Sequence, residues 1–295
     1  MGWVLATLVA AVAQTARNAA QAGLTREIGT LGATQVRFLF GLPFAVIFLG
    51  LAAWGMGEAP PALTAGSLGY AALGALAQIG ATALMLVTMQ SRSFAVTTAW
   101  IKTEPVIVAL VATVVIGDPL TPAKLVAILV ATAGVLILST RPETARGMLR
   151  DAAPVATGLL AGFLFGLAAI GFRGGILALP EGSFLIRAST ILVVSLVLQS
   201  GVLLVWLLAF DRGALAGSFR VWRPSILAGF LGAFASQFWF IGFSLTTAAN
   251  VRTLALVEVI LALGVSALVF RQPVSRRQVV GTAVILLGVG LLLNA

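Results

Sequence analysis

The chain has 295 residues, 60% of them hydrophobic and 9% charged, whereas about a quarter of a soluble domain is charged; no water-soluble fold hides that much apolar surface. It contains no cysteine and no histidine, which removes disulfides, thiolate nucleophiles, imidazole bases and the commonest zinc and haem ligands, so neither an enzyme nor a resident cofactor is expected. The net charge of +9 belongs to arginines in loops, which set membrane topology, rather than to nucleic-acid binding.

A spanning helix takes roughly 20 apolar residues. Apolar segments bounded by Gly, Pro or charge fall at 3–22, 31–54, 66–89, 93–116, 122–140, 153–177, 184–210, 224–245, 249–270 and 277–293, which predicts an all-α integral membrane protein of ten transmembrane helices. The first segment lacks a basic leader and carries Gln14, Arg17 and Asn18, so it reads as a span and not as a cleavable signal. The second opens near Arg37, and the third holds Gln78 among small residues suited to close packing in lipid. The fourth carries Thr97, Trp100, Lys102, Glu104 and Pro105; the sixth and seventh carry Arg173 and Arg187. Phe230, Phe234 and Phe238 stripe one face of the eighth beside Gln237 and Trp239, and the ninth brings Asn250, Arg252 and Glu258.

Setting Glu104 against Glu258 aligns 103–138 with 257–292 without a gap. Val111, Pro119, Val126, Gly134 and Val135 then fall on Val265, Pro273, Val280, Gly288 and Val289. A turn proline and an intramembrane carboxylate aligning together mark a true repeat: residues 1–140, a connecting loop at 141–152, and 153–295. Because five helices is an odd number, the second half enters the membrane inverted, the plan of many transporters. The loops after the odd-numbered spans carry Arg26, Arg92, Arg141, Arg146, Arg150, Arg212, Arg220, Arg223, Arg271, Arg276 and Arg277, which places them in the cytoplasm and both termini outside.

Glu104 and Glu258 lie inside spans, where a charge costs about 2.5–3.5 kcal/mol on insertion scales. Each reads either as a protonatable group facing a cavity or as a structural carboxylate held by an arginine. Pro105 cannot donate to the carbonyl of Ile101 and breaks the helix there. Trp100 and Thr97 share the face of Glu104, while Lys102 points away from it unless the helix is distorted. Arg17, Arg37, Arg173 and Arg187 either snorkel to the headgroups or reach inward to an anion. The candidate solute-binding residues are therefore Trp100, Glu104, Thr97, Lys102, Gln78, Gln237, Trp239, Arg252 and Glu258, with Glu104 the proton-coupling group.

The stretch from Glu104-Pro105 through Gly117-Asp118-Pro119-Leu120-Thr121 to the Gly134-Val135 helix resembles the end of an EamA repeat of the drug/metabolite transporter superfamily. Residues 257–292 resemble it more loosely, with Val259 for the proline and Arg271-Gln272 for the Gly-acid pair. Arg37-Phe38 also suits the pattern. The resemblance implies two inverted five-helix EamA-like repeats around a central cavity, alternating access, and export of a small organic metabolite, amino-acid-like or anionic, from the cell across the inner membrane. A lipid-linked headgroup or sugar flippase and a multidrug efflux carrier are the alternatives. The expected partners are a small-molecule substrate and the lipid bilayer, without nucleic acid or metal, in a monomer or homodimer.

Overall fold

The computed structural model describes residues 1–89, 100–139, 152–268 and 274–295, and among them every regular element is helical. In chain order these are α1 (Gly2–Leu39), α2 (Leu42–Met56), α3 (Ala65–Met89), α4 (Glu104–Val115), α5 (Pro122–Ser139), α6 (Ala152–Leu177), α7 (Phe184–Phe210), α8 (Arg212–Arg220), α9 (Trp222–Leu245), α10 (Ala248–Leu254), α11 (Val257–Leu268) and α12 (Arg276–Leu293). Among the described residues, seven stretches are long and apolar enough to cross a bilayer: Glu27–Met56, Ala65–Met85, Pro122–Ser139, Val155–Leu177, Phe184–Phe210, Trp222–Leu245 and Arg276–Leu293; Glu104–Val115 is a shorter apolar helix. Side chains such as Val114, Val205 and Phe210 stay largely exposed, a surface suited to lipid rather than water.

The elements gather into two compact units, each drawing on both halves of the sequence. One comprises Met1–Ile79 with Gly171–Thr246, the other Gly80–Ile170 with Thr247–Ala295. Two of the boundaries fall inside α3 and α6, and the third falls between α9 and α10.

In the first unit, α1 is folded back on itself. Gly29 adopts φ 73° and ψ 175°, a conformation open to glycine, and Gln21 Nε2 donates to Ala33 O at 2.9 Å. Twelve residues of straight helix would separate them by about 18 Å. The expected loop between the first two spans is thus a one-residue reversal, with Leu24, Ala33, Val36 and Ala228 buried against each other beside it. The Phe230–Phe234–Phe238 stripe packs in a chain of ring contacts that takes in Phe44 and Phe48 of α2. At one end of this unit, Thr64 Oγ1 donates to Ala178 O at 3.1 Å, and Ser183 N donates to Glu58 Oε2 at 2.8 Å. The Ser183 amide, helped by its side chain, holds the Glu58 carboxyl below its ordinary value of 4.5, with burial pulling the other way.

In the second unit, α5 and α12 pack through glycines that the repeat relates. A Cβ at Gly134 would lie 2.5 Å from Ile285 N, and one at Gly288 would lie 2.4 Å from Ala131 N. Only glycine permits that approach, which gains the dispersion contacts that hold helices together in lipid.

Two outcomes follow from these contacts. Gly288→Ala forces α5 and α12 apart and is expected to lower stability by about 1–3 kcal/mol, whereas Gly290→Ala, with open space around it, is neutral or stabilising; thermal unfolding in detergent distinguishes them. Because Glu58 is depressed in the folded state, its contribution is complete above the unfolded value and is lost as pH falls below it. Glu58→Gln should therefore flatten part of the loss of stability that sets in as pH falls below about 4.5, as read by unfolding across an acid pH series.

Candidate functional site

Two of the expected spans are interrupted, at nearly matching places in the repeat. At the first break the helix stops after Ile101, Lys102 and Thr103 form a turn, and α4 starts at Glu104. Thr103 donates to Trp100 O through both its amide at 3.1 Å and its hydroxyl at 2.7 Å, and Pro105 supplies no donor to the preceding turn. At the second, Ala255 and Leu256 form the turn between α10 and α11. Leu256 N donates to Thr253 O at 3.1 Å and Glu258 N to Ala255 O at 2.9 Å, so the chain tightens to three-residue bonds with no proline present.

The breaks place charge where helix ends favour it. Glu104 and Glu258 each stand in the first turn of a helix, α4 and α11, and Arg252 in the last turn of α10. Carboxylates are stabilised at N-termini and cations at C-termini by the helix dipole. The pairing then crosses from one repeat to the other. Arg252 Nη2 donates to Glu104 Oε2 at 2.7 Å and Arg252 Nε donates to Glu104 Oε1, a two-pronged contact that fits the planar guanidinium. Lys102 Nζ lies 3.8 Å from Glu258 Oε2, a looser and more exposed pair. Lys102, in the turn that breaks the helix, thus pairs with the other repeat's carboxylate.

A third carboxylate holds the far end of α10. Asp118, buried after the left-handed Gly117, accepts from Ala248 N at 3.2 Å, so α10 is pinned at its start by Asp118 and at its end by Glu104. Thr113, Asp118, Lys124, Thr247 and Asn250, among others, line a shallow dent beside it. Trp100 Nε1 is buried with no hydrogen-bond partner among the described residues.

Of the nine candidate solute-binding residues, Trp100, Lys102, Glu104, Arg252 and Glu258 belong to this one unit, and four of them form the two ion pairs. Thr97 lies outside the described residues. Gln78, Gln237 and Trp239 belong to the other unit, where each ties helices together. Gln199 Nε2 donates to Gln78 Oε1 at 2.7 Å, Gln237 Nε2 to Ser189 Oγ at 2.8 Å and Trp239 Nε1 to Gln14 Oε1 at 3.0 Å. Gln237 Oε1 is buried without a partner among the described residues. Arg17 and Arg37 are 4% and 6% exposed, so they do not snorkel to the surface. Arg173 donates to Phe243 O and Thr246 O, each at 2.6 Å, and so caps the end of α9. Asp118 stands out in the sequence only as the acid of the Gly-acid pair, without a role, and Gln199 only as a glutamine in the middle of the 184–210 apolar run.

Removing one partner of a buried ion pair strands the other charge. Arg252→Gln is expected to cost about 3–5 kcal/mol, and the double change Arg252→Gln with Glu104→Gln should recover most of it, as read by unfolding in detergent.

The sequence matches the model of the EamA-like transporter family over residues 1–140 and again over 152–294. A crystal structure 14% identical in sequence is similar with a TM-score of 0.70, covering 98% of this chain and 96% of that one, a likeness of fold alone. No curated protein matches the chain.

Proposed function

We propose that this chain, which belongs to the EamA-like transporter family, is a secondary active exporter of a small organic solute bearing a carboxylate, amino-acid-like or simply anionic. The family points to a transporter rather than an enzyme, in a multi-pass membrane protein. The observation that carries the finer reading is the Arg252–Glu104 pair at two helix breaks. Charge held inside a membrane protein at such cost marks a solute or ion path, and discontinuous helices are where transporters place their sites.

In this reading the solute's carboxylate takes the guanidinium fork of Arg252 and Glu104 is released. Glu104 then accepts a proton, so that the pocket never holds an uncompensated charge, and loss of that proton restores the pair and expels the solute. Lys102 and Glu258 adjust to a second charged group, and Trp100 supplies a flat apolar wall with one free N–H. Alternation of access between an inner-membrane cytoplasmic face and the outside completes the cycle, with both termini outside.

Metabolite profiling of cells with and without the protein names the solute, and flux into proteoliposomes then tests the mechanism. Glu104→Gln is expected to lower flux at least about tenfold, the equivalent of ~1.4 kcal/mol, and to abolish its dependence on an imposed pH gradient. Wild-type flux with unchanged pH dependence in that variant overturns the proton-coupled reading.

A further inference from the structure

Helix α8 joins α7 to α9 at one edge of the first unit. It is nine residues long, about 14 Å, and its flanking helices end at Phe210 and begin at Trp222, so the chain leaves and re-enters on the same side. α7, with 27 residues, is about 40 Å long, against a hydrocarbon core of about 30 Å. The position of α8 is therefore the headgroup layer.

One face of α8 is fixed to the protein. It packs on α1, α7 and α9; Ser218 is fully buried, and Ser225 Oγ donates to Ser218 O at 2.9 Å. The Phe219 ring lies 5.3 Å from that of Phe40. The other face is open and basic. Arg212, Arg220 and Arg223 are exposed, with Phe219 and Trp222 56% and 52% exposed among them, and the Arg223 guanidinium sits 5.3 Å from the Trp222 ring centre.

The acids at hand do not balance these cations. Asp211 is committed to the Ala214 amide at the start of α8, and Glu27, exposed at the reversal of α1, is the remaining acid on the elements that α8 touches at this edge. Arg212 Nε is spent on Leu208 O. Arg223 stands in the first turn of α9, where no acid is present and where the helix dipole favours an anion instead. A local rule is broken there, and the missing anion explains it.

We propose that Arg220 and Arg223, framed by Phe219 and Trp222, form a binding site for the phosphate headgroup of an anionic phospholipid. Exposed aromatics seat at the interface, a short helix with one apolar face lies in its plane, and the guanidinium fork matches a phosphate. The site is independent of which solute the protein carries.

The full-length protein in detergent, titrated with phosphatidylglycerol and followed by native mass spectrometry, tests this. The unaltered protein is expected to retain phosphatidylglycerol over phosphatidylcholine. Arg220→Gln with Arg223→Gln should bind it about thirtyfold more weakly, from ~1 kcal/mol for each arginine near an anionic surface, while the paired lysine variant keeps most of the affinity. Equal affinity in the double glutamine variant, equal retention of the two lipids, or displacement by millimolar inorganic phosphate overturns the proposal. Arg220→Gln alone, at an exposed position, serves as the readout where the double variant fails to fold.

Discussion

A charge taken into hydrocarbon has to bring its counter-charge, and the second unit is organised around that constraint. Glu104 opens a helix and Arg252 closes one, so each is stabilised by its own helix end before the two meet. Neither arrangement exists in an unbroken helix. A carboxylate in mid-helix would have neither the free amides nor the dipole, and the breaks at Lys102–Thr103 and Ala255–Leu256 create both. The cost of interrupting two spans is offset by satisfying the groups that make them polar.

Cross-pairing also ties the two repeats together within one unit. Glu104 of the first repeat meets Arg252 of the second, and Glu258 of the second meets Lys102 of the first. Gly134 and Gly288, equivalent in the repeat, each open space for the other's helix. A duplicated sequence has then acquired different cations at the two places, an arginine with a close two-pronged contact and a lysine with a looser one. That inequality suits a site whose two pairs open at different cost.

Much of this was legible in the sequence, and the parts that were not have identifiable causes. Apolar length marks the helices because lipid leaves the backbone no other partner, which is why the ends of α7 and α9 fall within two residues of expectation. Glu104 is conspicuous because a carboxylate there is costly, and Pro105 announces the break beside it. The break at Ala255–Leu256 has no such marker: Val259 stands where the first repeat has proline, and a turn of three-residue bonds leaves no trace in composition. The partner of Arg252 was not legible because it lies 148 residues away. The reversal between the first two spans was expected over 23–30, but not its form, since helix continues up to Gly29 on both sides and only the backbone angles of that glycine differ.

Charge in the second unit gathers at its helix breaks. Glu104–Val115 is itself an apolar helix, and the charges stand at its start, in the turn before it, and on either side of the Ala255–Leu256 turn at Arg252 and Glu258. An unbroken apolar helix leaves no free backbone group and no helix end for a charge, whereas an interrupted one offers both, which is why the ion pairs stand at the breaks.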